Sequence, residues 1–554
     1  MLKLSKIFSS IIELFRNSKR SIYYSFRHMP VESSSLVIIS IFIGLIPFAQ
    51  AKILANIIDA LIAVTKGSAL IGSLWTLIII YALATVFPEI VYAIQGYVNK
   101  RWTFRLQQIL ELELSLKKAE IDVALHEQPK FQDLLQKATY RSLWPIYELS
   151  EAQFLNIQNI IGVVVASYVV LAFDWRLYAV IMIASIPKFF VETKYSKNVW
   201  GIYSEDTEQQ RHYQELRSNF RQMYRIIETK LLQTAHKIAG MIDDILEDFN
   251  GKQIAVEKRK MLMKIGAEVI VVLGYGFAIT LIIGNVAQGL LAIGAMTFLL
   301  SSLSRLENSI AGFFLNIAGQ YQFSLYVTSI FELLDTKPYL PRVENPIRLD
   351  LTTAPTIVFE NVTFAYAGQT KTVLKDVNLT IKPGEKIAWI GANGAGKSTM
   401  VKLLCRVYDP IKGRILVNGV DLKHIDIDEW WSYLGVLLQD FGTYNFMAKD
   451  SIAVGRMDMP TDDARVTEAA IAADAHEFIS KWEKGYENMI GTDFGGVEPS
   501  KGQRQKLALA RILYRKSHVL ILDEPTAAVD SHSEAKIFET LEKMPDNYSC
   551  AYFT

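Results

Sequence analysis

Up to about Leu315 the sequence is divided into long apolar runs, and beyond about Val327 there are none. A helix needs roughly 20 largely apolar residues to cross a bilayer. Six runs come close to that length: roughly Leu36 to Ile62, Ile71 to Val98, Phe154 to Phe173, Leu177 to Val191 (the shortest), Ile265 to Gly284 and Leu290 to Ile317. Composition supports two unlike parts. The 554 residues are 51% hydrophobic and 21% charged, and the mean hydropathy is +0.19. That hydropathy is high for a soluble enzyme, and the charged fraction is too large for a chain lying wholly in lipid. A net charge of +1 gives no support for a nucleic-acid partner, since such domains are strongly basic. Two cysteines, Cys405 and Cys550, exclude a disulfide-stapled scaffold and read as reduced cytosolic thiols.

Charge orients the spans. The connections between spans one and two, three and four, and five and six are short and nearly uncharged, with Asp59, Lys66, Asp174 and Arg176 at or beside them. The gaps from Asn99 to Gln153 and from Glu192 to Lys264 are long and rich in Lys and Arg. The N-terminal stretch holds Lys3, Lys6, Arg16, Lys19, Arg20 and Arg27 against Glu13. Positive segments stay in the cytoplasm, so the C-terminal half is expected there too. The two gaps are too long for ordinary loops. They predict helices that run past the bilayer and turn back near Asp122 to Phe131 and near Phe220 to Glu228. Leu4, Ile7, Phe8, Ile11, Ile12 and Phe15 share one helical face. This predicts an interfacial helix over 1–30, the alternative being a helix packed on protein. Of the ionisable residues within the spans, Glu89, Lys52 and Lys188 bear on function. Glu89 follows Pro88 near an inner end and reads either as functional or as a cytoplasmic-end acid. Lys52 lines a cavity or snorkels, and Lys188 is expected to snorkel.

The C-terminal half carries phosphate chemistry. KIAWI, Lys386 to Ile390, reads as a buried strand. GANGAGKST, Gly391 to Thr399, follows at once, and VKLLC opens an amphipathic helix. That strand–loop–helix order is what a P-loop requires. Gly391, Asn393, Gly394 and Gly396 form a backbone cradle for phosphates at a helix N-terminus. Lys397 reaches the β- and γ-phosphates, Ser398 is a Mg²⁺ ligand, and Thr399 closes the motif. HVLILDEPT, His518 to Thr526, is an apolar strand ending in Asp523, a second Mg²⁺ ligand, and Glu524, which polarises the attacking water.

With these motifs in this order, the whole chain resembles an ATP-binding cassette (ABC) exporter half-transporter. The resemblance implies a membrane all-α six-helix domain joined to an α/β P-loop NTPase cassette, with ATP and Mg²⁺ as cofactors. It implies that Tyr366, in VTFAYAGQT, stacks on adenine; the alternative is a plain strand residue. Gln439, in GVLLQDF, resembles the glutamine that senses Mg²⁺ and water. Pro499 to Arg511 resembles the signature segment, which in this family closes on ATP held by the opposite subunit, through Ser500, Gly502 and Gln503 here. Asp530 resembles the acid that crosses the dimer interface. The expected domains are a lead-in over 1–30, spans over 31–326, a linker over 327–355 and a cassette over 356–554. The expected partners are a second half-transporter chain, identical or different, the lipid bilayer and an exported molecule. The expected location is a multi-pass cell-membrane protein with a cytoplasmic cassette.

Two departures from the family pattern stand out. Where the family has LSGGQ, this chain has Pro499-Ser500-Lys501-Gly502-Gln503. If Lys501 needed positive φ, a non-glycine there would cost about 1 kcal/mol. The residue is otherwise a neutral variant or an extra cation near phosphate. It motivates the rival reading of an impaired subunit in a heterodimer, against which the intact Glu524 argues. The second departure is SCAYFT, Ser549 to Thr554, where the sequence stops just before the family's switch histidine. His532 lies too early to be that residue, and the sequence is expected to be a fragment.

Overall fold

The computed structural model describes residues 2–553 except 69, 140–142, 206, 341, 367–370, 393, 526–530 and 543–547. The side chains of 2–11, 73, 139, 189, 192–194, 196–208, 210, 318, 322, 531–533 and 552–553 are also left undescribed. The chain divides into two units. One is Met1–Ala119 with Asp133–Thr336, and the other is Glu120–Gln132 with Lys337–Thr554.

The first unit is helical. After α1 (Leu2–His28) come α2 (Pro30–Thr65) and α3 (Ile71–Glu120). The short α4 (Val123–His126) and the first turn of α5 (Pro129–Thr139) belong to the second unit. The first unit resumes with the rest of α5, then α6 (Trp144–Phe173), α7 (Trp175–Glu205) and α8 (Thr207–Ser218). The short α9 (Met223–Leu231), α10 (Ala235–Ala287) and α11 (Ile293–Leu334) complete the series. Each of the six apolar runs lies in one long helix, apart from a few residues before α11. Among the described residues α2, α3, α6 and α10 are long and apolar enough to span a membrane on length and composition. α11 is less apolar because Arg305, Glu307 and Asn308 interrupt its run. With 53 residues, α10 is about 80 Å long at 1.5 Å per residue, far beyond the ~30 Å that lipid requires. The expected turns therefore exist as the short helices α4 and α9. On α9, Met223, Tyr224, Ile227 and Leu231 are exposed. The bundle core gathers Val170, Leu177, Ile181, Ile282, Leu303 and Leu306. Small residues let helices approach closely, and a Cβ at Gly162 would collide with Ser309 Oγ across α6 and α11.

Three expectations change here. Helix α11 continues to Leu334, so the segment from Val327 is helical where a linker was expected. Lys188 does not snorkel. Its ammonium meets Glu307 at 2.8 Å and Glu268 at 3.2 Å, because two carboxylates in the bundle compensate it better than a distant interface would. The later part of α1 packs on protein. Asn17 Nδ2 donates to Ser324 O at 3.0 Å and to Thr328 Oγ1 at 2.7 Å, and Arg20 pairs with Asp335. Ile12 and Phe15 remain exposed on the other side.

The second unit holds two four-stranded sheets. β1 (Ile357–Phe364), β2 (Leu374–Ile381), β4 (Lys412–Val417) and β5 (Val420–Asp421) form an antiparallel sheet in the order β2-β1-β4-β5. β3 (Lys386–Trp389), β6 (Leu434–Leu437), β7 (Val519–Asp523) and β8 (Ser549–Phe553) form a parallel one in the order β3-β8-β7-β6. Parallel strands need crossovers that cover both faces. Helices α12 (Lys397–Leu404), α13 (Ile427–Ser432), α14 (Ala448–Ala453), α15 (Asp463–Ala472), α16 (His476–Ser480), α17 (Lys501–Arg515) and α18 (Ser531–Glu542) supply them. Every residue of β7 is buried, as a central strand's should be.

Candidate active site

The site begins at the end of β3. The chain turns through Gly394 at φ 83° and Gly396 at φ 91°, and α12 starts at Lys397. Gly396 is required twice over. Its φ is left-handed, and a Cβ would lie 2.8 Å from Leu374 Cδ2. The other end of α12 is held by two tryptophans. Trp430 Nε1 donates to Leu404 O at 2.9 Å and Trp431 Nε1 to Cys405 O at 2.8 Å, satisfying carbonyls that a helix end leaves open. Lys397 Nζ donates to Gly391 O across the loop. A phosphate chain entering the cradle offers that ammonium a stronger, charge-assisted acceptor.

β7 delivers the acids. Asp523 is 4% exposed, and Ser398 at the start of α12 acts on its carboxylate. Burial, joined by repulsion from Glu524, pushes the Asp523 carboxyl above its usual range, and Ser398 and Lys397 oppose this only in part. Glu524 sits at φ 52°, an uncommon backbone for a non-glycine residue. Its carboxylate accepts from Gln439 Nε2 at 3.0 Å and its backbone carbonyl from Gln505 Nε2 at 3.0 Å. Thus Ser398, Gln439, Asp523 and Glu524, far apart in sequence, converge at one strand end. Asn393 and Asp530 lie outside the described residues.

A raised carboxyl pKa has a stability consequence with a definite sign. The folded state binds the Asp523 proton more tightly than the unfolded state does, so stability falls as pH rises from the ordinary carboxylate pKa through the raised one. Where it is ionised, the buried Asp523 therefore weakens the nucleotide-free fold. We expect Asp523→Asn to raise the melting temperature of the full chain at pH 7 without nucleotide, and this gain to shrink toward pH 4. A lower melting temperature for the variant at pH 7 would refute the assignment.

The remaining predicted residues are placed as follows. Tyr366 Oη bonds Thr399 Oγ1 at 3.0 Å, and its ring meets Phe364 and Tyr408 edge-on at centroid distances of 5.1 and 5.4 Å. Ser500 is the N-cap of α17 in a capping box. Gln503 N donates to Ser500 Oγ at 3.3 Å and Ser500 N to Gln503 Oε1 at 2.9 Å. Gly502 follows in the first turn. Lys501 is the first helical residue and is absent from the left-handed set. The anticipated backbone strain does not exist, because a helix start takes any side chain there.

Two features escaped sequence reading. Gln505 joins the signature helix to the Glu524 carbonyl, and its signal was the second glutamine of GQRQ. The other is a chain of contacts reaching α4, which belongs to the cassette unit. Ala124 lies in the cassette core. Asp122 Oδ2 accepts from Leu340 N at 2.9 Å. The Glu127 carboxylate accepts from Lys402 Nζ at 3.0 Å and from the Tyr408 hydroxyl. Lys402 Nζ in turn lies 5.4 Å from the Tyr366 ring centroid. Burial works against ionisation of Glu127, but the bonds from Tyr408 and Lys402 outweigh it and hold its carboxyl below the usual range.

A family model described as ABC transporter matches residues 374–527. The subtilin transport ATP-binding protein SpaT of Bacillus subtilis is 24% identical over 511 residues, covering 91% of this chain and 82% of that protein. An ATP-dependent lipid A-core flippase of Alkalilimnicola ehrlichii is 39% identical over 216 residues, 39% of this chain and 36% of the flippase. A bacterial Atm1-family ABC exporter solved with ATP bound superposes with a TM-score of 0.81. It is 22% identical and covers 94% of this chain and 90% of that one. Residues 374–527 form an ABC transporter domain, and over nearly its whole length the chain is similar to ABC exporters. Its cassette binds nucleotide, its hydrolysis of ATP is coupled to transport, and it is a multi-pass membrane protein with the cassette on the cytoplasmic side. ABC exporters work as dimers of half-transporters.

Proposed function

We propose that two of these half-transporters pair and bind ATP between the P-loop of one chain and the signature segment of the other. The observation that carries this reading is the convergence at the end of β7, where Gln439 Nε2 and Gln505 Nε2 each reach Glu524 at 3.0 Å beside the buried Asp523. The donors there are a hydroxyl, a carboxylate and, beside them, the Gln439 amide. These hard oxygen ligands fit Mg²⁺, which is usually held by one or two protein groups plus substrate phosphates. The absence of any cluster of three His, Cys, Asp or Glu among the described residues agrees with such a sparse site. Bound there, Mg²⁺ would neutralise phosphate charge. Lys397 and the loop amides bind the phosphates, Tyr366 faces the base, and Glu524 orients and deprotonates water, with Gln439 fixing its carboxylate.

The second chain enters through Ser500, Gly502 and Gln503. Ser500 and Gln503 are satisfied by the capping box and turn toward ATP when the cassettes close. Residues 120–132 belong to the cassette unit, so any cassette displacement moves the junction between α3 and α5. The rival reading of an impaired partner subunit was motivated by Lys501, which starts α17 without left-handed backbone, and no observation favours it.

Complementation tests the composite site. Lys397→Ala removes charge-assisted phosphate bonds and should lower hydrolysis about 10- to 100-fold. Ser500→Arg should block closure. Each variant alone is then strongly impaired. Mixed dimers regain one intact site, formed by Lys397 of the Ser500→Arg chain and Ser500 of the Lys397→Ala chain. Recovered ATPase on co-expression is the expected result. No recovery, despite purified mixed dimers, would place both halves of the site in one chain.

A further inference from the structure

Three cations lie inside the six apolar runs: Lys52, Lys188 and Arg305. Lys188 is neutralised by Glu307 and Glu268. The other two make no ion pair among the described residues. Lys52 Nζ lies 5.4 Å from the Phe298 ring centroid. Arg305 Nε is buried with no hydrogen-bond partner. It sits against the close approach of α6 at Gly162, and the Tyr92 phenol on α3 is the one titratable group that acts on it.

Their placement is shared. Phe298 and Arg305 are seven residues apart on α11, which puts them on one face about 10 Å apart along the axis. Arg305 lies twelve residues from Ile293, about 18 Å into a hydrocarbon layer of ~30 Å. Ser301, Ser304 and Asn308 are exposed beside it. An uncompensated arginine facing lipid at that depth is unfavourable, and polar neighbours would add to the cost. This face therefore borders water in the assembled exporter, and its two free cations await an opposite charge.

We propose that Arg305, assisted by Lys52, receives an anionic group, a carboxylate or a phosphate, of the transported molecule. The proposal rests on the export reading above, and its test uses binding without nucleotide, so that failure of transport and failure of binding are told apart.

The full chain in phosphatidylcholine nanodiscs is exposed to photoactivatable twelve-carbon probes that share one tail and end in carboxylate, phosphate or trimethylammonium. Capture is read by mass spectrometry of α11 and α2 peptides. The carboxylate and phosphate probes should be captured at least ten-fold more than the ammonium probe. Arg305→Gln should remove that preference and Arg305→Lys should retain most of it. Lys52→Gln should weaken it several-fold. Elution volume and melting temperature report the fold of each variant. Lys188→Gln, which strips a paired cation, should lower the melting temperature and keep the preference. Equal capture of the three probes by the wild type, or an unchanged preference in a folded Arg305→Gln chain, would overturn the proposal.

Discussion

Glu524→Gln should leave ATP binding in place and reduce steady-state hydrolysis by about 10²- to 10⁴-fold, the range that a positioned general base contributes. The substitution keeps size and planarity and removes the group that accepts a proton from water. Gln439, which now donates to the Glu524 carboxylate at 3.0 Å, can still donate to the new amide oxygen. The strand end survives as well, because Gln505 bonds the Glu524 backbone carbonyl and not the side chain. The loss should therefore appear in kcat with nucleotide affinity nearly unchanged, and ATP should accumulate in a closed dimer. Single-turnover hydrolysis and equilibrium binding of a fluorescent ATP analogue measure the two separately. Wild-type turnover in this variant would remove Glu524 from the role, and a matching loss of affinity would recast it as a binding residue.

Glu127→Gln should separate ATP binding from movement of the spans. Glu127 sits just beyond the end of α4, takes hydrogen bonds from Lys402 and Tyr408, and lies two contacts from Tyr366. Hydrogen bonds to a charged group are worth about 1.5–3 kcal/mol, so losing the charge should cost roughly ten-fold or more in coupling. Cys405 and Cys550 are buried, and burial pushes the Cys405 thiol up to about 12, so both are poor targets for thiol reagents. A cysteine at the exposed Ser301 then reports on the spans. Its maleimide reactivity should change when ATP is added to the parent chain and respond far less in the Glu127→Gln chain. ATP binding itself should change little. Tyr408→Phe should produce a related defect, and the double variant should be less than additive if the groups act as one network. An unaltered ATP response in both single variants would show that the network is structural only.

The spans and the P-loop were legible in the sequence for the same reason. Each is a local rule written in consecutive residues: lipid demands an apolar run of fixed length, and a phosphate cradle demands glycines, a lysine and a hydroxyl between a strand and a helix. The short helices at the cytoplasmic turns were legible from the length of the charged gaps. The capping box at Ser500 and Gln503 was also written locally, as a serine three residues before a glutamine, yet resemblance to a signature drew attention away from it. The conditional cost at Lys501 does not arise, because a backbone angle is not a property of residue type and a helix start is right-handed.

Everything that depended on distant residues waited for the tertiary structure. Consecutive residues suffice to define a membrane-spanning half and a nucleotide-binding half, since both follow from periodicity and contiguous chemistry. It could not distinguish Lys188 from Arg305, because the pairing of a buried cation is set by which helix faces bring carboxylates within a few ångströms. Glu307 is 119 residues from Lys188, and nothing in either neighbourhood marks the pair. In the same way Gln505 and Glu127 look like ordinary polar residues until folding sets one against the catalytic strand and the other against Tyr408. Pair energies fall off over a few ångströms while the chain separates the partners by tens to hundreds of residues, so only the packed structure decides which charges are satisfied and which remain free for a ligand.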